Sequence, residues 1–321
     1  MILIDNKKKQ AMLFPGQGSQ KPGMASDLVR YSPEAACRLK EFSEILDCDM
    51  VELLCGDRLF NDTRSVHIAV TAYAILVFEW LKKEQKIDPA ILAGHSLGEI
   101  SALICSGAVS VEDGLKLADA RGKLLALACE ENPGGMVAFS SCPTEQMINE
   151  ISKWIVNASA ENSVWIVNIN GPRQVVAAGD KDLLRLLTEA MENRGMTATV
   201  LNTAGAFHTP FMNSAAIKMA AFLEQIPFKT PDIPVLSSST VRLLSDPDEL
   251  RVHLTLQIIK PVRWLDTMNI LVNSQISHTL EVAQSGGILT RLLKTWPDTG
   301  IISEMTGDLL SASSVQLCSI A

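Results

Sequence analysis

Short runs at 11–14, 90–93, 233–237 and 278–283 read as strands, and the first two are apolar throughout. The first ends at Pro15-Gly16-Gln17-Gly18-Ser19-Gln20 and the second at Gly94, so each strand feeds a glycine-bearing turn. Other stretches carry helical spacing. Ser32-Pro33-Glu34 opens one that runs to about Leu46. A long one covers 67–84, with Ile68, Ala69, Ala72, Ile75, Leu76, Phe78 and Leu81 apolar and charge gathered at its end. A helix begins within 100–105. Ser110 caps the next, with Glu112 and Asp113 in its first turn and Leu115, Leu117, Ala118, Arg121, Leu124 and Leu125 leading to about Glu130. Helices are also predicted at 211–225, 249–259, 262–273 and 286–296, and the Ser-rich end from Thr299 is expected to fray.

The middle of the chain has its own rhythm. A strand at 136–140, a helix at 144–157, strands at 164–169 and 174–178 around Gly171-Pro172, a helix at 181–193 closed by Gly195, and a strand at 196–201 follow one another. That order, βαββαβ, is the ferredoxin-like arrangement. It predicts an α/β protein with a small domain at 132–202 inserted into a larger one made of 1–131 and 203–321.

Composition narrows the function. The 321 residues are 47% apolar and 20% charged, ordinary for a globular protein with a sizeable core. A formal net charge of -8 argues against nucleic acid as a partner, and an acidic carrier protein would need a local basic patch. Seven cysteines, an odd number without a Cys-x-x-Cys, argue against a disulfide framework or structural zinc and suit a reducing cytoplasm. Residues 1–9 are too polar for a signal peptide, and no uninterrupted apolar run is long enough to span a bilayer.

The chemistry centres on Gly94-His95-Ser96-Leu97-Gly98. A Gly-x-Ser-x-Gly between a strand and a helix is the nucleophile elbow. It presents the serine hydroxyl at a strand end and at a helix N-terminus, where a developing negative charge is favoured. The plain alternative is a glycine-rich turn with an incidental serine, and the matching flanks speak against it. A serine nucleophile needs a base, an orienter for that base and an oxyanion hole. Of five histidines, His95 lies inside the elbow and reads as structural. His67, His253 and His278 sit in helix or strand patterns, where a surface or satisfied histidine is the commoner case. His208, in a glycine-containing loop after the serine, is the best candidate base. The Leu97 N–H would be one oxyanion donor, and the Gly16-Gln17-Gly18 loop would supply a second. No acidic residue between Ser96 and His208 stands in a clear triad position, which leaves a backbone carbonyl as orienter. The 15–20 loop is no phosphate loop, for it lacks Gly-Lys-Ser/Thr.

Phe14-Pro15-Gly16-Gln17-Gly18-Ser19-Gln20, Gly94-His95-Ser96-Leu97-Gly98-Glu99, Arg121-Gly122-Lys123 and Gly205-Ala206-Phe207-His208, in that order, closely resemble malonyl-CoA:acyl carrier protein transacylases. The resemblance covers nearly the whole chain. It implies an α/β-hydrolase-like large domain carrying the ferredoxin-like small one. It also implies roles: Ser96 as nucleophile, His208 as base, Gln17 and Leu97 as oxyanion donors, Arg121 as grip on the malonyl carboxylate, the Gln257 carbonyl as orienter of the histidine, and Asn168 and Asn170 near the histidine and the acyl group. A guanidinium can hold a carboxylate with two parallel hydrogen bonds, which suits Arg121 to that part. Two departures stand out. Val282-Ala283-Gln284-Ser285-Gly286 replaces the family's frequent Gly-Pro-Gly, so a looser loop is expected. Gly205 stands where many malonyl-selective relatives have histidine, yet Ala206-Phe207 is kept, and Phe207 should crowd an α-methyl branch.

The implied reaction moves malonyl from malonyl-CoA to Ser96 and then to the phosphopantetheine thiol of an acyl carrier protein, with no metal or redox cofactor. It would serve fatty-acid synthesis, or polyketide modules in trans. The rivals are an acyl hydrolase or thioesterase on the same machinery, and a silent scaffold that docks a carrier protein. Arg121 argues against the first, and the intact Ser96, His208 and Arg121 against the second.

Overall fold

The computed structural model describes residues 9–85, 87–297 and 299–311. Among the described residues ten strands run in chain order: β1 Gln10–Phe14, β2 Ile91–Gly94, β3 Gly135–Ser140, β4 Val164–Gly171, β5 Gln174–Gly179, β6 Thr197–Val200, β7 Val235–Leu236, β8 Leu243–Leu244, β9 His278–Glu281 and β10 Ile302–Met305. Six form a sheet in the order β10-β9-β1-β2-β7-β8, parallel except for β8, which folds back on β7. Both faces of this sheet are covered, which is why β1 and β2 are apolar at every central position. Met12, Phe14 and Leu92 point into the main core, while Ala11, Leu13, Ile91 and Ala93 pack against Trp264, Met268 and Leu289 on the other side.

The other four strands form an antiparallel sheet in the order β4-β5-β3-β6, which is the ferredoxin-like order. On its outer face Val137, Phe139, Val175 and Ala177 meet Met147 and Ile151 of the helix Thr144–Asn157 and Leu184, Leu187 and Met191 of Lys181–Glu192. The alternate residues Met136, Val176 and Ala178 belong to the main core instead. The small sheet is therefore apolar on both faces, each against its own apolar partner. Backbone bonds from Ile169 N–H to the Val262 carbonyl (2.9 Å) and from Val262 N–H to the Val167 carbonyl (2.8 Å) stitch β4 to the large sheet's helices.

Several predicted elements are redrawn. Val262 is consumed by that stitch, so the helix starts at Trp264 instead. The chain from Thr299 does not simply fray: β10 pairs with β9, and only 312–321 of the Ser-rich end, with the polar start at 1–8, fall outside the described residues. Helices Ser26–Tyr31 and Met50–Cys55 are too short to show a period and were not predicted. The long helix begins at Thr63, four residues before the predicted start, because the Asp62 side chain caps the Ser65 N–H at 2.9 Å. Counted through its last turn to Gln85, it is long and apolar enough by composition to cross a bilayer, which a search for uninterrupted runs missed. Its apolar window is 78% buried inside the fold, so core packing accounts for that composition. Six described cysteines are free thiols; Cys318 lies outside the described residues.

The Pro-free loop after β9 is tied down. The Thr306 hydroxyl donates to the Ala283 carbonyl at 3.1 Å and Gly307 N–H to the same oxygen at 2.9 Å. The buried Glu281 carboxylate accepts from Leu289 and Thr290 N–H (3.0 and 2.7 Å), capping the helix Ile288–Leu293.

Candidate active site

The elbow is built from close backbone approaches. A Cβ on Gly94 would lie 2.2 Å from the Glu99 nitrogen, and one on Gly98 would lie 2.0 Å from the Phe14 carbonyl oxygen. Only glycine permits either contact. β1 is thus pressed against the turn that leaves β2, and His95 N–H donates to the Phe14 carbonyl at 2.9 Å. Ser96 sits in the left-handed region at φ 53°, a strained setting for serine, just ahead of the helix Gly98–Cys105.

The Ser96 hydroxyl lies 2.7 Å from His208 Nε2. His208 is also left-handed, at φ 63°. Its Nδ1 faces two carbonyl oxygens, Gln257 at 2.9 Å and Lys260 at 3.1 Å. Carbonyls only accept, so Nδ1 carries the proton and Nε2 is left to accept from the serine. Burial, and then the Arg121 charge, push the His208 pKa down to about 3, and the two carbonyls only partly oppose this. The ring is neutral at ordinary pH and ready to take a proton. The carbonyl of Lys260 was not singled out in the sequence, because a main-chain acceptor leaves no side-chain signature.

A cavity of about 100 Å³ opens beside this pair, walled among others by Gln17, Leu97, Arg121, Asn168, Phe207 and His67. Among the described residues the N–H groups of Gln17 and Leu97 have no acceptor. Arg121 comes from the helix Val111–Glu131 and is 5% exposed. Its Nη1 is 3.4 Å from His67 Nε2, its Nη2 donates to Gln257 Oε1 at 3.3 Å, and its Nε has no partner among the described residues. Burial lowers its pKa to about 10, so it remains charged. The Gln257 side chain also donates to the Ser96 carbonyl at 3.0 Å, tying the arginine, the serine and the histidine's carbonyl to one residue.

The remaining candidates separate. The Asn168 amide oxygen is buried, without a partner among the described residues, on the cavity wall. Asn170 is not brought to the cavity; its amide is spent on His95 Nε2 (2.9 Å) and Gln174 (2.8 Å). His95 also packs edge-on against Trp264. His253 is buried against Glu99 and His278 contacts Ser277, so neither faces the cavity. His67 is the correction: it is 2% exposed, lies in the cavity wall and contacts Arg121. The helix is buried nearly all round there, so no periodicity marks the side that faces the cavity.

A hydroxyl paired with a neutral imidazole, beside unpaired N–H groups, is equipped to take an acyl group from an activated ester and pass it on. The class of protein that the fold and the pocket define is an acyl-transferring enzyme. The chain belongs to the acyl transferase domain family, whose pattern matches residues 11–289. It is 34% identical over 291 residues to a malonyl CoA-acyl carrier protein transacylase of Haemophilus influenzae, covering 89% of this chain and 92% of that one. Among solved structures it is similar to an acyl carrier protein S-malonyltransferase from Vibrio cholerae, with TM-score 0.88, 31% identity, and 96% and 100% of the two chains covered. A malonyl-transacylase solved in complex with its type II PKS acyl-carrier protein superposes with TM-score 0.86 at 31% identity, covering 92% of this chain and 95% of that one.

Proposed function

We propose that this chain transfers a malonyl group from malonyl-CoA to the phosphopantetheine thiol of an acyl carrier protein. Ser96 is the nucleophile and His208 Nε2 its base. The Gln17 and Leu97 N–H groups hold the oxyanion, and the CoA thiol departs with the proton. The carrier's thiol then attacks the malonyl-serine, with His208 taking its proton. The observation that carries the reading is Arg121. A buried guanidinium with no carboxylate partner among the described residues is costly unless an anion completes it. It stands in the wall of the Ser96 cavity, where the free carboxylate of a malonyl-serine would lie. Asn168 adds an amide oxygen without a partner among the described residues, and Phe207 stands in the same wall, where it would crowd an α-methyl branch. The four-stranded sheet region, 132–202, is read as an inserted domain that closes the pocket, and the setting as cytoplasmic. Fatty-acid synthesis and loading of polyketide carriers both use this transfer.

The test incubates the protein with malonyl-CoA and then with a phosphopantetheinylated carrier protein, following both by intact mass. A malonyl adduct on the Ser96 peptide, lost in Ser96→Ala and passed to the carrier, is expected. Release of free malonate with no carrier loading would replace transfer with hydrolysis.

A further inference from the structure

Among the described residues, Arg121 is held only by neutral acceptors, an imidazole nitrogen and an amide oxygen. An arginine only donates, so His67 Nε2 must offer its lone pair, and the ring's proton must sit on Nδ1. The ring's donor side meets the Ala118 backbone, without a bond of full geometry among the described residues, which leaves Nε2 for the arginine. We propose that His67 is a positioning residue that aims Arg121 into the acyl cavity through a neutral acceptor, leaving the guanidinium charge for the acyl carboxylate. This rests on the malonyl reading above and deepens it.

The geometry has a chemical logic. An Asp or Glu at this position would fix the arginine more tightly but would neutralise it, and the pocket would lose its preference for an acid. An aliphatic residue would keep the wall but let the side chain swing. Burial, with the Arg121 charge next, holds His67 well below the usual histidine range, and the Ala118 backbone opposes this only in part. The imidazole therefore stays an acceptor across the working pH range. Among the described residues the acid whose charge acts on Arg121 is Glu99, and it is already engaged: its carboxylate is taken up by His253 and by Ser238. His67 and Gln257 approach the guanidinium on different nitrogens, from the helices Thr63–Trp80 and Pro247–Gln257, so together they set its plane.

The test compares full-length wild type with His67→Gln, His67→Leu and His67→Glu, measuring acylation of Ser96 by malonyl-CoA and by acetyl-CoA. Acetyl has no carboxylate for Arg121 to read. The malonyl-to-acetyl ratio of kcat/KM should fall at least about tenfold in His67→Leu, the low end for a hydrogen bond to a charged group. It should fall further in His67→Glu and stay within about threefold in His67→Gln, whose amide oxygen can still accept. An unchanged ratio in both His67→Leu and His67→Glu overturns the proposal, as does a matched loss with both donors, which would mean that the ring merely supports the wall. Should His67→Leu fail to fold, the Gln and Glu variants decide between the same outcomes. A wild type that takes no malonyl from malonyl-CoA would defeat the functional reading alone. The role of His67 is then judged by calorimetry with free malonate: binding to wild type and His67→Gln but not to His67→Glu upholds it, and equal binding to all overturns it.

Discussion

Replacing His253 with glutamine should cost this protein a large share of its stability, and the loss should depend on pH in a specific way. Glu99 is fully buried one residue past the elbow, and its carboxylate contacts the His253 ring and accepts from the Ser238 N–H and hydroxyl at 3.2 and 3.0 Å. Burial opposes ionisation of Glu99, yet the His253 charge and hydrogen bond together with the two Ser238 bonds outweigh it and hold the carboxyl below the usual glutamate range. Burial likewise opposes charging His253, and Glu99 overcomes it, raising the ring above 6.5. Removing one partner of a buried ion pair typically costs roughly 3–5 kcal/mol, because the other charge is stranded. Against a total of about 5–15 kcal/mol, that is roughly a fifth of the stability or more. The Glu99 contribution is present above pH 4.5 and fades as pH falls through its lowered folded value. The His253 contribution is complete below pH 6.5 and fades as pH rises through its raised folded value. Urea denaturation should therefore show the wild type's advantage over His253→Gln largest between about pH 4.5 and 6.5 and shrinking toward pH 9. Gln257 lies one helical turn beyond His253, so acylation of Ser96 should slow as well. A stability difference below about 1 kcal/mol, or one that stays flat from pH 5 to 9, would refute the ion-pair account.

Four further outcomes are expected. Arg121→Ala should lower malonyl acylation by about tenfold or more while leaving acetyl acylation intact or improved, and Arg121→Lys should restore it only in part, as read by competition between the two donors. His208→Ala should slow acyl-enzyme formation at least about a hundredfold. With the ring's pKa near 3, the wild-type rate should hold from pH 8 down to 5 in a rapid-quench profile; a base with an ordinary pKa of about 6.5 would lose roughly tenfold by pH 5.5. Phe207→Ala should narrow the preference for malonyl-CoA over methylmalonyl-CoA, which a tight pocket sets at about 10- to 200-fold, and an unchanged preference would show that the ring does not gate the site.

What could be read in the chain was what local chemistry encodes. The glycines at 94 and 98 announce a turn that no other residue can make, and β3 to β6 declare themselves by alternation and by the turns between them. What escaped depends on partners far away in sequence. Val262 looks helical until β4 claims its backbone, and Ile302–Met305 looks like a tail until β9 pairs with it. His67 was hidden for another reason: from Val66 to Phe78 every residue of its helix is buried, so a cavity-facing position looks like any core position. Gln257 entered the sequence reading only through family resemblance, since a carbonyl is carried by every residue alike. Asn170 was placed one shell too close, because alternate residues of β4 share a face without sharing a neighbour.

The two carbonyls behind His208 also bear on how long an acyl group survives in water. They orient the ring without lending it the basicity that a carboxylate would, and its conjugate acid stays strong, near pKa 3. Such a base meets a thiol of pKa about 8.5 and a water of pKa about 16 very unequally, since the second proton lies roughly seven units further uphill. The Ser96 hydroxyl is no more acidic than water, and it reacts because it is held 2.7 Å from Nε2; leakage is restrained for water that nothing holds in that place. On the proposed roles, a malonyl group parked on Ser96 waits for a thiol, the carrier's to go forward or that of CoA to go back.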